Sequence, residues 1–143
     1  MRTLFAFLAL VLSNALLTAS AWADDVKDMA GKWTIEKAEA NGEEIKAEDL
    51  RDVIITFTGE RYELLVKDQR DAGTIKLDEK QNPKTMDSTD TEGDDVGKVT
   101  KAIYELKGDT LRVCYALDGG ERPTEFKSKG DRPLLLITLK REK

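Results

Sequence analysis

The chain of 143 residues contains no histidine, and this absence excludes several kinds of active site. A Ser-His-Asp triad, a Cys-His dyad and a histidine-based zinc or iron centre all need an imidazole. The sequence also has a single cysteine, Cys114, so it can neither close an internal disulfide nor build a thiolate cluster. It carries no G-x-S-x-G, P-loop or G-x-G-x-x-G motif. We therefore expect no enzymatic activity, no cofactor and no metal centre.

The chain also lacks an apolar run long enough to cross a bilayer. Its longest apolar segment, from Leu4 to Leu17, has 14 residues, whereas a membrane-spanning helix needs about 20. This segment follows Arg2 and precedes Ala21-Trp22-Ala23, which fits the A-x-A cleavage pattern of secretory signal peptides. We therefore predict a signal peptide over residues 1–23, rather than an uncleaved membrane anchor. The mature chain, residues 24–143, would be periplasmic or secreted and would have no membrane span.

The chain has fewer positive than negative side chains. The whole chain has 23 Lys and Arg against 28 Asp and Glu, a net charge of −5, and removal of residues 1–23 takes away Arg2 alone and leaves −6. An acidic chain repels phosphate backbones, so we expect no nucleic-acid partner. Its length suits one domain with one core.

What the chain does contain is a series of short segments with alternating apolar residues. The clearest are residues 53–57, 61–67 and 99–116, where apolar side chains recur at every second position between turn residues such as Asn41-Gly42. Residues 46–52 could hold one helical turn, and no long amphipathic helix is present. About eight such strands predict an all-β fold, an antiparallel barrel or a sandwich.

Two stretches carry a resemblance to known families. Gly31-Lys32-Trp33 is similar to the G-x-W that opens the first strand of lipocalins. The segments AIYELKGDTLRVCYALDGGERPTEFKSK and LLLITLKREK, with GKWTIEKAEANGEEIKAEDL, resemble a small secreted domain of planctomycete bacteria that has no established activity. The resemblance implies a lipocalin-like β-barrel over residues 24–143. It also implies a cation–π contact of Lys140 or Arg141 with Trp33 at the closed end.

An eight-stranded barrel is either filled by its own side chains or holds one small ligand. Because many inward positions carry large residues, we expect the interior to be mostly filled. If a ligand site exists, we expect it at the barrel mouth. The candidate ligand-binding residues are Tyr62, Tyr104, Tyr115, Arg122 and Phe126. Arg122 lies in the long connection over residues 118–133, where it would bind an anionic head group or pair with Glu125 or Asp118.

Two further features have structural interpretations. Cys114 alternates out of phase with Leu111, Val113 and Tyr115, so we expect it to face outward or a covering loop and to serve packing. Five acids crowd the acidic segment, residues 86–98, which we expect to be a solvated loop. A weak calcium site there is the alternative, although an EF-hand alignment fails because Val99 would fall where a carboxylate is needed.

The sequence leaves two functions open. The first is non-catalytic binding of a small, mostly apolar ligand in the barrel mouth. The alternative is a cell-envelope scaffold whose loops contact a partner protein. A cavity with converging polar groups would favour the first, and an exposed apolar patch would favour the second.

Overall fold

The computed structural model describes residues 24–143, and the predicted signal peptide lies outside them. Within residues 24–143, nine strands and two short helices follow one another. They are α1 (Asp25–Met29), β1 (Gly31–Ala40), β2 (Glu43–Glu44), α2 (Ala47–Leu50), β3 (Val53–Thr58), β4 (Arg61–Val66), β5 (Gln69–Asp78), β6 (Lys84–Glu92), β7 (Val99–Lys107), β8 (Thr110–Ala116) and β9 (Leu134–Arg141). None of the helices in this part of the chain is long and apolar enough to cross a membrane.

Eight of these strands form a closed antiparallel β-barrel. From β3 to β9 each strand pairs with the next one along the chain, and β1 pairs with both β3 and β9, which closes the sheet. The short β2 only extends the end of β1. Closure pairs the backbone groups of every strand and leaves no exposed sheet edge among the eight. The prediction of a barrel of about eight short strands is therefore confirmed.

The alternation in the sequence gives the barrel one interior. Inward positions on β8 hold Leu111, Val113 and Tyr115, and those on β9 hold Leu135, Ile137 and Leu139, as the apolar pattern predicts. The predicted helical turn is present as α2, where Leu50 packs into the core. Helix α1 was not expected from the sequence. It has only five residues and depends on contacts with the barrel rather than on its own propensity.

Helix α1 covers one end of the barrel, which we call the filled end. The fully buried side chains of Met29, Trp33, Tyr104, Leu111 and Leu139 belong to the hydrophobic core. The buried Asp25 carboxylate accepts hydrogen bonds from the Lys84 ammonium and the Tyr104 hydroxyl, each at 2.8 Å. A charge this deeply buried is tolerated because both neighbours are donors.

A single arginine near the C-terminus connects α1 to the filled end. The Arg141 guanidinium stacks on the Trp33 ring, with 4.4 Å from Cζ to the ring centroid, and donates to the carbonyls of Asp28 and Ala30. The Trp33 indole N–H donates to the Met29 carbonyl at 2.8 Å. These bonds pair the carbonyls that the end of a helix leaves without partners. Of the two basic residues considered, Arg141 makes the expected contact with Trp33.

The long connection between β8 and β9, residues 117–133, lies on the outside of the barrel, and we call it the strap. It covers a second apolar layer on the outer face of β7 and β8, where Ile103 and Cys114 are buried. The Cys114 thiol donates to the Lys127 carbonyl at 3.4 Å, and burial raises its pKa. Cys114 thus faces a covering loop, as predicted, and a raised pKa makes the thiol less reactive.

Candidate functional site

The other half of the barrel interior is not filled by side chains. It contains a cavity of about 320 Å³, which lies within the roughly 300–1,000 Å³ range of small-molecule sites. Most of the residues around it are apolar and come from the inward faces of β1, β3, β4, β5, β6, β8 and β9. The expectation of a mostly filled interior therefore holds at the filled end and fails here.

The cavity reaches the surface at its rim. Val66, the last residue of β4, is 37 % exposed, and Leu117, the first residue of the strap, is 38 % exposed, although both line the cavity. The deeper lining residues Ile55 and Ile75 are buried. The site is therefore a pocket with an apolar floor and an apolar rim that solvent reaches.

Five polar side chains also line the cavity, and these are Tyr62, Ser88, Asp90, Thr100 and Tyr115. The Tyr62 hydroxyl donates a short hydrogen bond to the Asp90 carboxylate. Burial raises the pKa of Tyr62, and the hydrogen bond and the charge of Asp90 raise it further. Burial alone raises the pKa of Tyr115 to about 12. Both phenols are therefore neutral donors at physiological pH.

A glycine in the middle of β5 makes the contact between Tyr62 and Asp90 possible. Gly73 pairs with Tyr62 on one side and with Asp90 on the other. A Cβ atom at Gly73 would lie 2.1 Å from the Thr89 carbonyl oxygen and 2.7 Å from the Tyr62 ring. The missing side chain therefore lets the Tyr62 ring lie across β5 and reach β6. A register shift in the β5–β6 ladder occurs at the same place, between Ala72 and Gly73.

Across residues 24–143, neither a lysine nor an arginine contributes to the wall of the cavity. Asp90 forms no ion pair with any residue of that range, and the one hydrogen bond to its side chain comes from Tyr62. The chemical result is an apolar pocket with one carboxylate, two phenols and two aliphatic hydroxyls.

The structure brings together two of the five residues predicted from the sequence. Tyr62 and Tyr115 line the cavity. Tyr104 is buried at the filled end against Asp25. Arg122 and Phe126 belong to the strap on the outer surface and not to the cavity lining. Phe126 lies over the Arg112 guanidinium, 4.2 Å from Cζ to the ring centroid.

The ion pair of Arg122 differs from both alternatives derived from the sequence. Its guanidinium binds Asp87 of β6 at 2.6 Å, rather than Glu125 or Asp118, and donates to the carbonyls of Met86 and Ala102. Arg122 thus fixes the strap to the outside of the barrel. This position leaves it without the contact with the barrel mouth that anion binding there would need.

The acidic segment divides between several environments. Residues up to Glu92 belong to β6, so the loop is shorter than expected. Asp87 points outward to Arg122, Asp90 points into the cavity, and Glu92 pairs with Arg70. In the part of the chain that the structure describes, no group of three or more acidic or cysteine side chains is arranged to hold a metal ion.

Asp90 and Gly73 were not among the residues predicted for the site. The pattern through residues 84–90 predicts only a weak strand, with Met86 as its one large apolar residue, so Asp90 is grouped with the acids of the expected loop. The sequence does contain a sign of the role of Gly73, since an isolated glycine inside a strand pattern indicates a close approach of neighbouring groups. The sequence does not show which neighbour approaches.

Residues 24–143 form a closed β-barrel with an apolar pocket at one end. Comparison of the chain with protein-family profiles, characterised proteins and solved structures finds no significant match. The resemblance to lipocalins and to the planctomycete domain therefore rests on the sequence segments quoted above and stays a prediction.

Proposed function

We propose that this protein binds a small, mostly apolar molecule in the cavity, without catalysing its conversion. The observation that supports the proposal most directly is the apolar pocket of about 320 Å³ whose rim is open to solvent at Val66 and Leu117. Burial of apolar ligand surface there would contribute about 25 cal/mol per Å². In this proposal the barrel is a lipocalin-like carrier exported from the cell, as the resemblance and the predicted signal peptide imply.

The polar groups of the pocket favour binding over catalysis. Tyr62 and Tyr115 have raised pKa values and keep their protons, so neither is suited to act as a general base near neutral pH. The buried thiol of Cys114 lies outside the cavity under the strap. The pocket thus offers groups that orient a ligand by hydrogen bonds.

The alternative of a partner-binding scaffold has weaker support. The exposed large hydrophobic residues in the described chain are Val66, Val96, Val99 and Leu117. Val66 and Leu117 belong to the cavity rim, Val96 lies in the turn between β6 and β7, and Val99 is the first residue of β7. A stable protein interface usually buries more than about 1,000 Å², and two valines supply only a small part of such an area.

A fluorescent apolar probe tests the proposal. N-phenyl-1-naphthylamine should bind the mature protein at one site, with a blue shift and increase in its emission. Leu64→Trp, which places a larger side chain in the cavity, should weaken binding at least about tenfold, a change of about 1.4 kcal/mol. Val96→Trp is the matched control, because Val96 is 65 % exposed and lies outside the cavity.

Two results would overturn the proposal. One is the absence of saturable probe binding to a protein whose circular dichroism shows a folded barrel. The other is equal loss of affinity in Leu64→Trp and Val96→Trp. If Leu64→Trp does not fold, Val66→Trp at the solvent-exposed rim serves in its place, and probe binding unchanged in that variant counts against the proposed site.

A further inference from the structure

The charge of the cavity carries an inference about the ligand's head group. Asp90 is a carboxylate in a pocket whose lining, within residues 24–143, contains no lysine or arginine. An anionic ligand such as a fatty acid would place its carboxylate near Asp90 with no cation to balance the two charges. Like charges at short range in a partly buried site oppose each other strongly. The pocket therefore disfavours the anionic amphiphiles that an apolar cavity would otherwise accept.

Asp90 also has acceptor capacity that no protein group within residues 24–143 uses. A carboxylate offers about four lone-pair positions on its two oxygens. In the described chain the one hydrogen bond to this side chain comes from the Tyr62 hydroxyl, on Oδ1. Oδ2 is left for solvent or a ligand. Ser88 and Thr100 add hydroxyls to the same cavity.

Tyr62 fixes the position of this acceptor. Its ring lies against Gly73, and its hydroxyl holds Oδ1 of Asp90. The other inward residues near the floor, such as Ile75 and Met86, are apolar and buried. A ligand that places its chain among them would bring a donor group at its other end toward Asp90.

We propose that the natural ligand is an amphiphilic amine, with one ammonium group bound by Asp90 and an apolar body in the rest of the cavity. This inference rests on the proposed function, since it names the class of ligand for the same cavity. A charge-assisted hydrogen bond between ammonium and carboxylate is roughly twice as strong as a neutral one. The acidic net charge of the chain would also attract a cation to the pocket.

Three probes with the same ten-carbon chain test the head group. Decylamine, decanol and decanoate, each below its micelle concentration, compete with N-phenyl-1-naphthylamine at pH 7. We expect decylamine to bind at least about tenfold more tightly than decanoate, since hydrogen bonds to charged groups contribute about 1.5–3 kcal/mol. Decanol should fall between the two.

Asp90→Asn removes the charge and keeps the shape of the side chain. It should reduce the preference for decylamine over decanoate to less than about threefold, since the loss of charge assistance removes most of the difference. The naphthylamine should still bind Asp90→Asn in a saturable way, which shows that the cavity persists in this variant. Asp94→Asn is the matched control, because it makes the same charge change in the exposed turn after β6.

The outcomes separate this inference from the proposed function. If the naphthylamine binds but decanoate competes as well as decylamine, the head-group inference is overturned and the cavity remains a binding site. A preference for decylamine that Asp94→Asn reduces as much as Asp90→Asn would also overturn it, since general charge attraction would then explain the preference. If no probe binds in a saturable way, both proposals fail.

Discussion

The filled end and the cavity end of this barrel use the same alternation of side chains with opposite results. At the filled end the inward residues include Trp33 and Tyr104, and α1 lies across the opening. At the cavity end many inward residues are smaller, such as Val53 and Ser88, and the rim reaches solvent. Side-chain volume and a covering element therefore decide whether a small barrel has room for a ligand.

The two ends also differ in how their polar groups are paired. The carboxylate at the filled end, Asp25, accepts from both Lys84 and Tyr104. The carboxylate at the cavity end, Asp90, accepts from Tyr62 and has no cationic partner among residues 24–143. A buried carboxylate that is paired with a cation and a second donor has a structural role. A carboxylate in a pocket that can still accept hydrogen bonds is available to a ligand.

Truncation of one leucine at each end should give the largest difference in the free energy of unfolding. Leu139→Ala at the filled end should lower the free energy of unfolding by about 2–5 kcal/mol, because Leu139 is fully buried and its removal leaves a new void. Leu64→Ala should cost about 1 kcal/mol or less, because Leu64 is half-buried and already borders a cavity. Urea titration followed by circular dichroism measures both values. Equal losses would show that the two ends are packed alike.

Much of this fold could be predicted from the sequence because period-two alternation reports directly which side faces the core. The inward sets of β8 and β9 follow from that pattern alone, and so does the placement of Cys114 on the other face. The pairing of Arg141 with Trp33 followed from the G-x-W resemblance, which the pattern could not supply.

The pocket could not be predicted in the same way. Its volume depends on distances between side chains of strands far apart in sequence, such as Tyr62 and Asp90. The position of the strap could not be predicted either. Several acids lie near Arg122 in the sequence, and its ion pair with Asp87 of β6 follows only from the folded sheet. Helix α1 was missed because its five residues carry almost no periodic signal.

A methyl group at Gly73 should damage the cavity end by an intermediate amount. Gly73→Ala brings Cβ into the Thr89 carbonyl and the Tyr62 ring, and we expect a loss of about 1–3 kcal/mol in unfolding free energy, as is typical of overpacking. Gly130→Ala is the matched control, since its added Cβ would meet only Leu134 at 3.9 Å. We expect a change of less than about 0.5 kcal/mol in the control. Comparable losses in both variants would contradict the close approach at Gly73.

Alkaline pH should lower the free energy of unfolding gradually, and one titration reports on the tyrosines at both ends of the barrel. The described chain has three tyrosines, Tyr62 and Tyr115 at the cavity and Tyr104 at the filled end, and burial is the main cause that raises the pKa of each. A charge on Asp25 adds to the effect at Tyr104, as that on Asp90 does at Tyr62. An unfolded chain releases its phenol protons near pH 10.

The contribution of these tyrosines to the free energy of unfolding should therefore be constant below pH 10 and should fall as the pH rises above 10. For Tyr115 the fall runs from pH 10 to its folded pKa of about 12 and then ends. Each retained proton lowers the free energy of unfolding by about 1.4 kcal/mol per pH unit in that interval. Absorbance at 295 nm should show no tyrosinate step near pH 10 in the folded protein, and a step should appear together with unfolding.

Tyr62→Phe removes one tyrosine and should reduce the slope of the unfolding free energy against pH. A normal tyrosine titration near pH 10 in the wild-type protein, without loss of structure, would show that the cavity tyrosines are solvated.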